Sequence, residues 1–104
     1  MEFKKTELIS EHDGLRLELE LVLPDQQPRA ILQISHGMIE HKERYEGFMR
    51  FLAEQGYAAV IHDHRGHGAS VRSEEDLGYF YTEDISAITE DLYQVSRYIK
   101  EIYP

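Results

Sequence analysis

With 104 residues, 41% of them hydrophobic and 30% charged, the chain is sized for one small globular domain around a single core. Eleven lysines and arginines against twenty aspartates and glutamates leave a net charge of -9, which repels phosphate backbones and anionic lipid headgroups and argues against nucleic acid as a partner. Cysteine is absent, which excludes disulfides and thiolate chemistry; "MEFKKTELIS" lacks an apolar stretch of signal-peptide length and nothing approaches a transmembrane segment, so a soluble, cytoplasmic protein is expected.

The first predicted element is a hairpin formed by "TELIS", the turn "EHDG" and "LRLELELVL". Leu15, Leu17, Leu19, Leu21 and Leu23 alternate with Arg16, Glu18 and Glu20, a period of two that buries one face of the second strand and leaves the other wet. Asp13-Gly14 supplies the left-handed conformations of a tight turn, which makes the two strands antiparallel neighbours. His12, alone in that turn, is expected to be solvated and nothing more. The two prolines of "PDQQP" remove backbone donors and end the second strand in a loop.

"AILQIS" and "YAAVIH" are near-continuous apolar runs, the pattern of strands covered on both faces. Between them Tyr45, Phe48, Met49 and Leu52 share one face of a predicted helix that stops at Gly56. The unit reads as a right-handed parallel βαβ crossover. After a polar segment through Thr82, a second helix is predicted from about Ile85 to Ile102. It would bury Ile85, Ile88, Leu92, Val95, Ile99 and Ile102 and leave Glu90, Asp91, Gln94, Arg97 and Lys100 to water. No internal repeat or low-complexity tract is present.

Two loops carry chemistry. The first, "HDHRGHG" from His62 to Gly68, spaces His62, His64 and His67 almost as a zinc hydrolase would, but Gly66 stands where such a loop carries a liganding aspartate. A metal-binding module or metallohydrolase is therefore one reading. The other is a hydrogen-bonded loop in which Asp63 accepts from backbone N-H groups while glycines adopt positive φ. The second loop, "SHGMIEH", runs from a strand end through His-Gly into a helix, which leaves backbone N-H groups unpaired where an oxyanion could sit.

Taken together, "HGMIEHKERYEGFMRFLAEQGYAAVIHDHRGHGAS" resembles the N-terminal region of the monoacylglycerol lipase and lysophospholipase group (serine aminopeptidase-like) of α/β-hydrolases. The ordered combination of His-Gly-x-x-Glu-His, Arg-Tyr, Gly-Tyr and Asp-x-Arg-Gly-His-Gly-x-Ser is specific to that group. The resemblance implies an α/β fold with an antiparallel first pair, a parallel unit, strand order 1-2-4-3 and an incomplete sheet. It implies that Met38 donates one of two oxyanion-hole N-H groups from a loop begun by His36 and Gly37. Glu40 and His41 would flank the hole, and Asp63, Arg65, His67 and Ser70 would build the turn after the fourth strand.

The chain contains no Gly-x-Ser-x-Gly pentapeptide. "GHGAS" carries its serine at the end, and Ser35 has no glycine two residues before it, so neither serine is expected to be the nucleophile. By resemblance the nucleophile would lie about a dozen residues beyond Pro104. Residues 1–104 are thus expected to be a single domain fragment, the N-terminal portion of a serine ester hydrolase, inactive alone and needing no cofactor. The completed protein would take an acyl-ester or lipid substrate. The third strand would present an open edge suited to a second copy, giving a homodimer, or to a complementing C-terminal chain. A non-catalytic interaction domain pairing through that edge is the remaining alternative.

Overall fold

A computed structural model describes residues 1–36, 42–82 and 86–103. Strands β1 (Glu2–Ile9), β2 (Arg16–Leu23), β3 (Ile31–Ile34) and β4 (Ala58–His62) form one sheet in the order β1-β2-β4-β3. β1 and β2 pair antiparallel from Glu2 opposite Leu23 to Ile9 opposite Arg16. β2 pairs antiparallel with β4, and β3 runs parallel to β4 with Ile31 opposite Ala58 and Ile34 opposite Ile61. The α/β architecture and the 1-2-4-3 order are those expected from the sequence. Among the described residues, β3 pairs on one side only.

A helix lies on each face of the sheet. Helix α2 (Ser86–Ile102) sets Val95 and Ile99 against Leu15, Leu17, Leu19, Leu21 and Val60. Helix α1 (Glu46–Glu54) sets Met49, Leu52 and Ala53 against Val22, Ala59 and Ile61. Adjacent strand residues thus feed two different cores, as the pleat requires. α1 ends as the sequence predicts: Gly56 has φ +91, its N-H donates to Ala53, and the Tyr57 N-H donates to Leu52. No helix among the described residues is long and apolar enough to cross a membrane.

Several sequence-based expectations need correction. The second face of β2 is not wet, because α1 covers it, and Glu20 and Val22 are fully buried. The hairpin turn is a longer loop, closed by Ser10 N-H to Leu15 O at 2.7 Å, and of Asp13 and Gly14 only Gly14 takes positive φ. Tyr45 belongs to a 3-10 turn (Lys42–Tyr45) that precedes α1. Phe48 is 50% exposed, because the buried stripe of α1 runs through Met49, Leu52 and Ala53 and places residue 48 about a quarter-turn away. β3 is covered incompletely, with Leu32 37% exposed, as befits an edge strand. In α2, Asp91 is 1% exposed where the periodicity left it to water, and the buried stripe is Ala87, Asp91, Val95 and Ile99. His12 has a partner, Glu90, at 2.9 Å.

Glu20 is the unusual core residue. Neither carboxyl oxygen has a hydrogen-bond partner in the usual ionised form, and the Lys5 ammonium is 3.5 Å away. Burial first, then a bond shared with Glu46 and the charges of Glu46 and Glu43, push its carboxyl up from 4.5 to about 7. The fold therefore keeps a proton that the unfolded chain releases. That contribution is complete below about pH 4.5 and is lost as pH rises towards 7. Glu20→Gln, which mimics the protonated form, should gain stability relative to the parent as pH rises from 4.5 to 7, with the difference level beyond. Urea unfolding midpoints across that range measure it, and a pH-independent difference would refute the assignment.

Candidate functional site

The carboxyl ends of the parallel strands β3 and β4 lie side by side, and the chain leaves β4 into a loop, residues 63–70, built around two buried charged side chains. Asp63 accepts from the Lys42 N-H at 2.7 Å, the Lys42 ammonium at 2.9 Å and the Ala69 N-H at 2.9 Å. Gly68, at φ +51, passes so close that a Cβ there would meet the Asp63 carboxylate at 2.4 Å. Only glycine satisfies both the conformation and the space. Ser70 closes the loop, donating to the Asp63 carbonyl at 2.7 Å and accepting from the Glu18 N-H at 3.0 Å.

Arg65 turns the opposite way, into the gap between the β1–β2 loop and α2. Its Nε donates to Asp91 at 2.7 Å, and its terminal nitrogens reach Asp13 at 2.8 Å, the Phe80 carbonyl at 2.9 Å and the Ser10 hydroxyl at 3.1 Å. Ser10 also donates to Asp91 at 2.6 Å. Burial works against the guanidinium, but the bonds to Asp13 and Asp91 outweigh it and raise its pKa. The same bonds hold the Asp13 carboxyl below its ordinary value.

Four imidazoles cluster edge-on or tilted where the strands end. The His36 and His64 ring centroids are 4.4 Å apart, His36 and His67 5.4 Å, and His62 and His64 4.9 Å. His36 Nε2 accepts from the His64 N-H at 2.9 Å, which requires that nitrogen to be unprotonated, and His64 Nε2 shares a 2.9 Å hydrogen bond with Ser35 Oγ. His67 Nδ1 lies 3.1 Å from the Arg65 carbonyl. His62 is fully buried with neither ring nitrogen hydrogen-bonded. Burial and the neighbouring His64 and His36 push it down to about 3, and burial with His36 and His67 push His64 down to about 4.

The site residues expected from the sequence divide accordingly. His36, Asp63, Arg65, His67 and Ser70 converge at the β4 exit, and Asp63 accepts backbone N-H groups as anticipated. Gly37, Met38, Glu40 and His41 lie outside the described residues. The zinc reading is not supported: His64 Nε2 and His67 Nδ1 are engaged with Ser35 and Arg65, and the described residues that bring three potential ligand atoms within 4.8 Å of one another are Glu20, Glu43 and Glu46, not His62, His64 and His67. Sequence reasoning missed Lys42. Its burial opposes the charge, but Glu43 and Asp63 hold its pKa above the ordinary lysine value. No periodicity flags a lysine in a 3-10 turn.

The sequence matches the model of the serine aminopeptidase S33 family over residues 26–104. It is 32% identical over 78 residues to a monoacylglycerol lipase of Mycolicibacterium smegmatis, an alignment covering 75% of this chain and 26% of that protein. It is 40% identical over 58 residues to human monoglyceride lipase, covering 56% of this chain and 19% of that one. Among solved structures, a thermostable carboxyl esterase from Bacillus coagulans superposes with a TM-score of 0.89 at 26% identity, covering the whole of this chain and 34% of the esterase. The chain thus spans about a quarter of the first of these relatives and a third of the esterase.

Two outcomes test the site's construction. Arg65→Met leaves Asp13 and Asp91 without their counterion and should cost about 3 kcal/mol or more of unfolding free energy in urea. Arg65→Lys should recover little of it, because one ammonium cannot span the same acceptors. His62 and His64 act through pH with the opposite sign to Glu20. Their depressed pKa values mean that the unfolded chain takes up protons first, so their contribution is complete above about 6.5 and is lost as pH falls towards 4. His62→Leu should flatten the fall in stability between pH 6.5 and 4; an unchanged slope would show that His62 does not carry it.

Proposed function

The chain belongs to the serine aminopeptidase S33 family of α/β-hydrolases and to its monoglyceride-lipase-like group, and from that premise we propose that it is the N-terminal part of a serine ester hydrolase. In this reading Met38 supplies one oxyanion-hole N-H group, with His36 and Gly37 forming its loop and Glu40 and His41 flanking it. The catalytic triad comes from elsewhere. The observation that carries the reading is that both described ends of segment 37–41 are tied to consecutive residues of one turn: His36 accepts from His64, and Lys42 donates to Asp63. That turn lies at the carboxyl end of parallel strands, where α/β enzymes assemble their sites.

The reaction is two-step acyl transfer. A serine attacks the ester carbonyl, a histidine moves the proton, and two N-H donors hold the tetrahedral oxyanion. Neither serine near the site suits the nucleophile's role. Ser70 is buried with its hydroxyl committed to Asp63 and Glu18. Ser35 does contact His64, but that imidazole is held near 4, too weak a base at neutral pH, and its Nδ1 has no hydrogen-bonding group to orient it. Monoacylglycerol is the substrate class that the relatives' names give, and the sequence resemblance adds lysophospholipid. Residues 1–104 then form one incomplete domain, and the edge of β3, unpaired on one side among the described residues and carrying the exposed Leu32, favours a complementing C-terminal chain or a second copy.

The test is a chimera in which this chain replaces the matching segment of the mycobacterial lipase. It should hydrolyse monoacylglycerol, whereas the chain alone should show no turnover and no labelling by a fluorophosphonate. Met38→Pro in the chimera, which deletes the N-H, should lower kcat about 100-fold with little change in KM. Full activity of the proline variant would overturn the assignment of Met38.

A further inference from the structure

The ion pairs around Asp63 and Arg65 do not absorb Glu20. Its side chain is fully buried on the α1 face of β2, and in the ionised form neither carboxyl oxygen has a hydrogen-bond partner. A carboxylate in that position needs a countercharge. Lys5, opposite Glu20 in the β1–β2 register, brings its ammonium to 3.5 Å from one oxygen, but it makes no hydrogen bond there and its side chain is 60% exposed.

Two further carboxylates converge on it. Glu43, exposed in the 3-10 turn, and Glu46, half-buried in the first turn of α1, each place an oxygen within 4.8 Å of the other and of a Glu20 oxygen. Carboxylates at that spacing repel one another strongly where burial limits screening. The Lys42 ammonium does not cancel them, because it lies 2.6 Å from Glu43 and also 2.9 Å from Asp63. Acidic groups often gather at a surface without a ligand; the buried, unpartnered Glu20 at the base of this group is what points to one. Two oxygens bound to one ion can be no farther apart than twice the metal–oxygen distance. That limit is about 4.8 Å for calcium, but only about 4.2 Å for magnesium, which also insists on a regular octahedron. Calcium tolerates an irregular shell completed by water, and the exposure of Glu43 gives it a way in.

We propose that Glu20, Glu43 and Glu46 form a calcium site, in which one ion ties β2 to the 3-10 turn and to the first turn of α1. The ion supplies the countercharge that Glu20 lacks. A carboxylate accepts at both oxygens, so Glu43 keeps Lys42 while it ligates. None of the three residues has a part in ester hydrolysis as proposed above, so the site stands or falls independently of that reading.

The test is calorimetric titration of the chain with calcium chloride and, separately, magnesium chloride at pH 8, above the value of about 7 to which Glu20 is pushed, in about 0.15 M potassium chloride to screen diffuse attraction. One calcium ion should bind per chain with a submillimolar dissociation constant and raise the urea unfolding midpoint, while magnesium binds about tenfold more weakly or worse. Glu43→Gln and Glu46→Gln should each weaken calcium binding about tenfold or more, and Glu20→Gln should abolish it. Glu101→Gln, which removes an exposed carboxylate from the last turn of α2, should change nothing. If Glu20→Gln does not fold, Glu43→Gln still decides the point, because Glu43 is exposed. The absence of saturable binding below about 10 mM calcium overturns the site, as does an equal loss in Glu101→Gln and the cluster variants, which would reduce the effect to the chain's net charge of -9. Magnesium binding as tight as calcium overturns the assignment to calcium.

Discussion

A buried guanidinium organises this fold. Arg65 lies in a gap that three segments must close together: the β1–β2 loop through Ser10 and Asp13, helix α2 through Asp91, and the polar segment before α2 through the Phe80 carbonyl. Each group would be costly to bury alone. Two carboxylates with the fork of one arginine satisfy one another, so the three segments dock in one arrangement or leave a charge unpaired. The leucines of β2 would pack against many helix faces; the position of Asp91 on α2 selects the face that is used.

Asp63 plays the corresponding part on the other side of the β4 exit. Where Arg65 ties the turn to α2, Asp63 ties it to the 3-10 turn before α1, and the two side chains, separated only by His64, point towards opposite faces of the sheet. Gly68 is the steric condition for this arrangement, since any side chain there would occupy the space of the Asp63 carboxylate. The turn is thereby tied to the helices on both faces of the sheet.

The remaining titratable groups make the core sensitive to pH from two sides. Burial disfavours the charged forms of His62 and His64 and the ionised form of Glu20. Their contributions slope in opposite directions across mildly acidic pH, so the parent chain can have a nearly flat profile that conceals two large opposed terms. Both clusters sit within a few residues of the β4 turn or beneath the 3-10 turn that adjoins it. Burial of polar groups is concentrated around the candidate site.

Pattern alone located the strands and both helices, because hydrophobic periodicity and glycine placement are local properties of a chain. The strand order came with the family resemblance, whose motif residues His36, Asp63, Arg65, His67 and Ser70 gather at the β4 exit. Tertiary structure decided the rest. Asp91 and Glu20 occupy positions that periodicity assigns to water, and Lys42 is a polar residue in a turn. Asp91 and Lys42 are buried because a countercharge distant in sequence is waiting, Arg65 for Asp91 and Asp63 for Lys42, whereas burial beside Glu46 and Glu43 favours the protonated form of Glu20. Periodicity records which face of an element is apolar, but whether a charge can be buried depends on the countercharge opposite it, and only the folded chain supplies that.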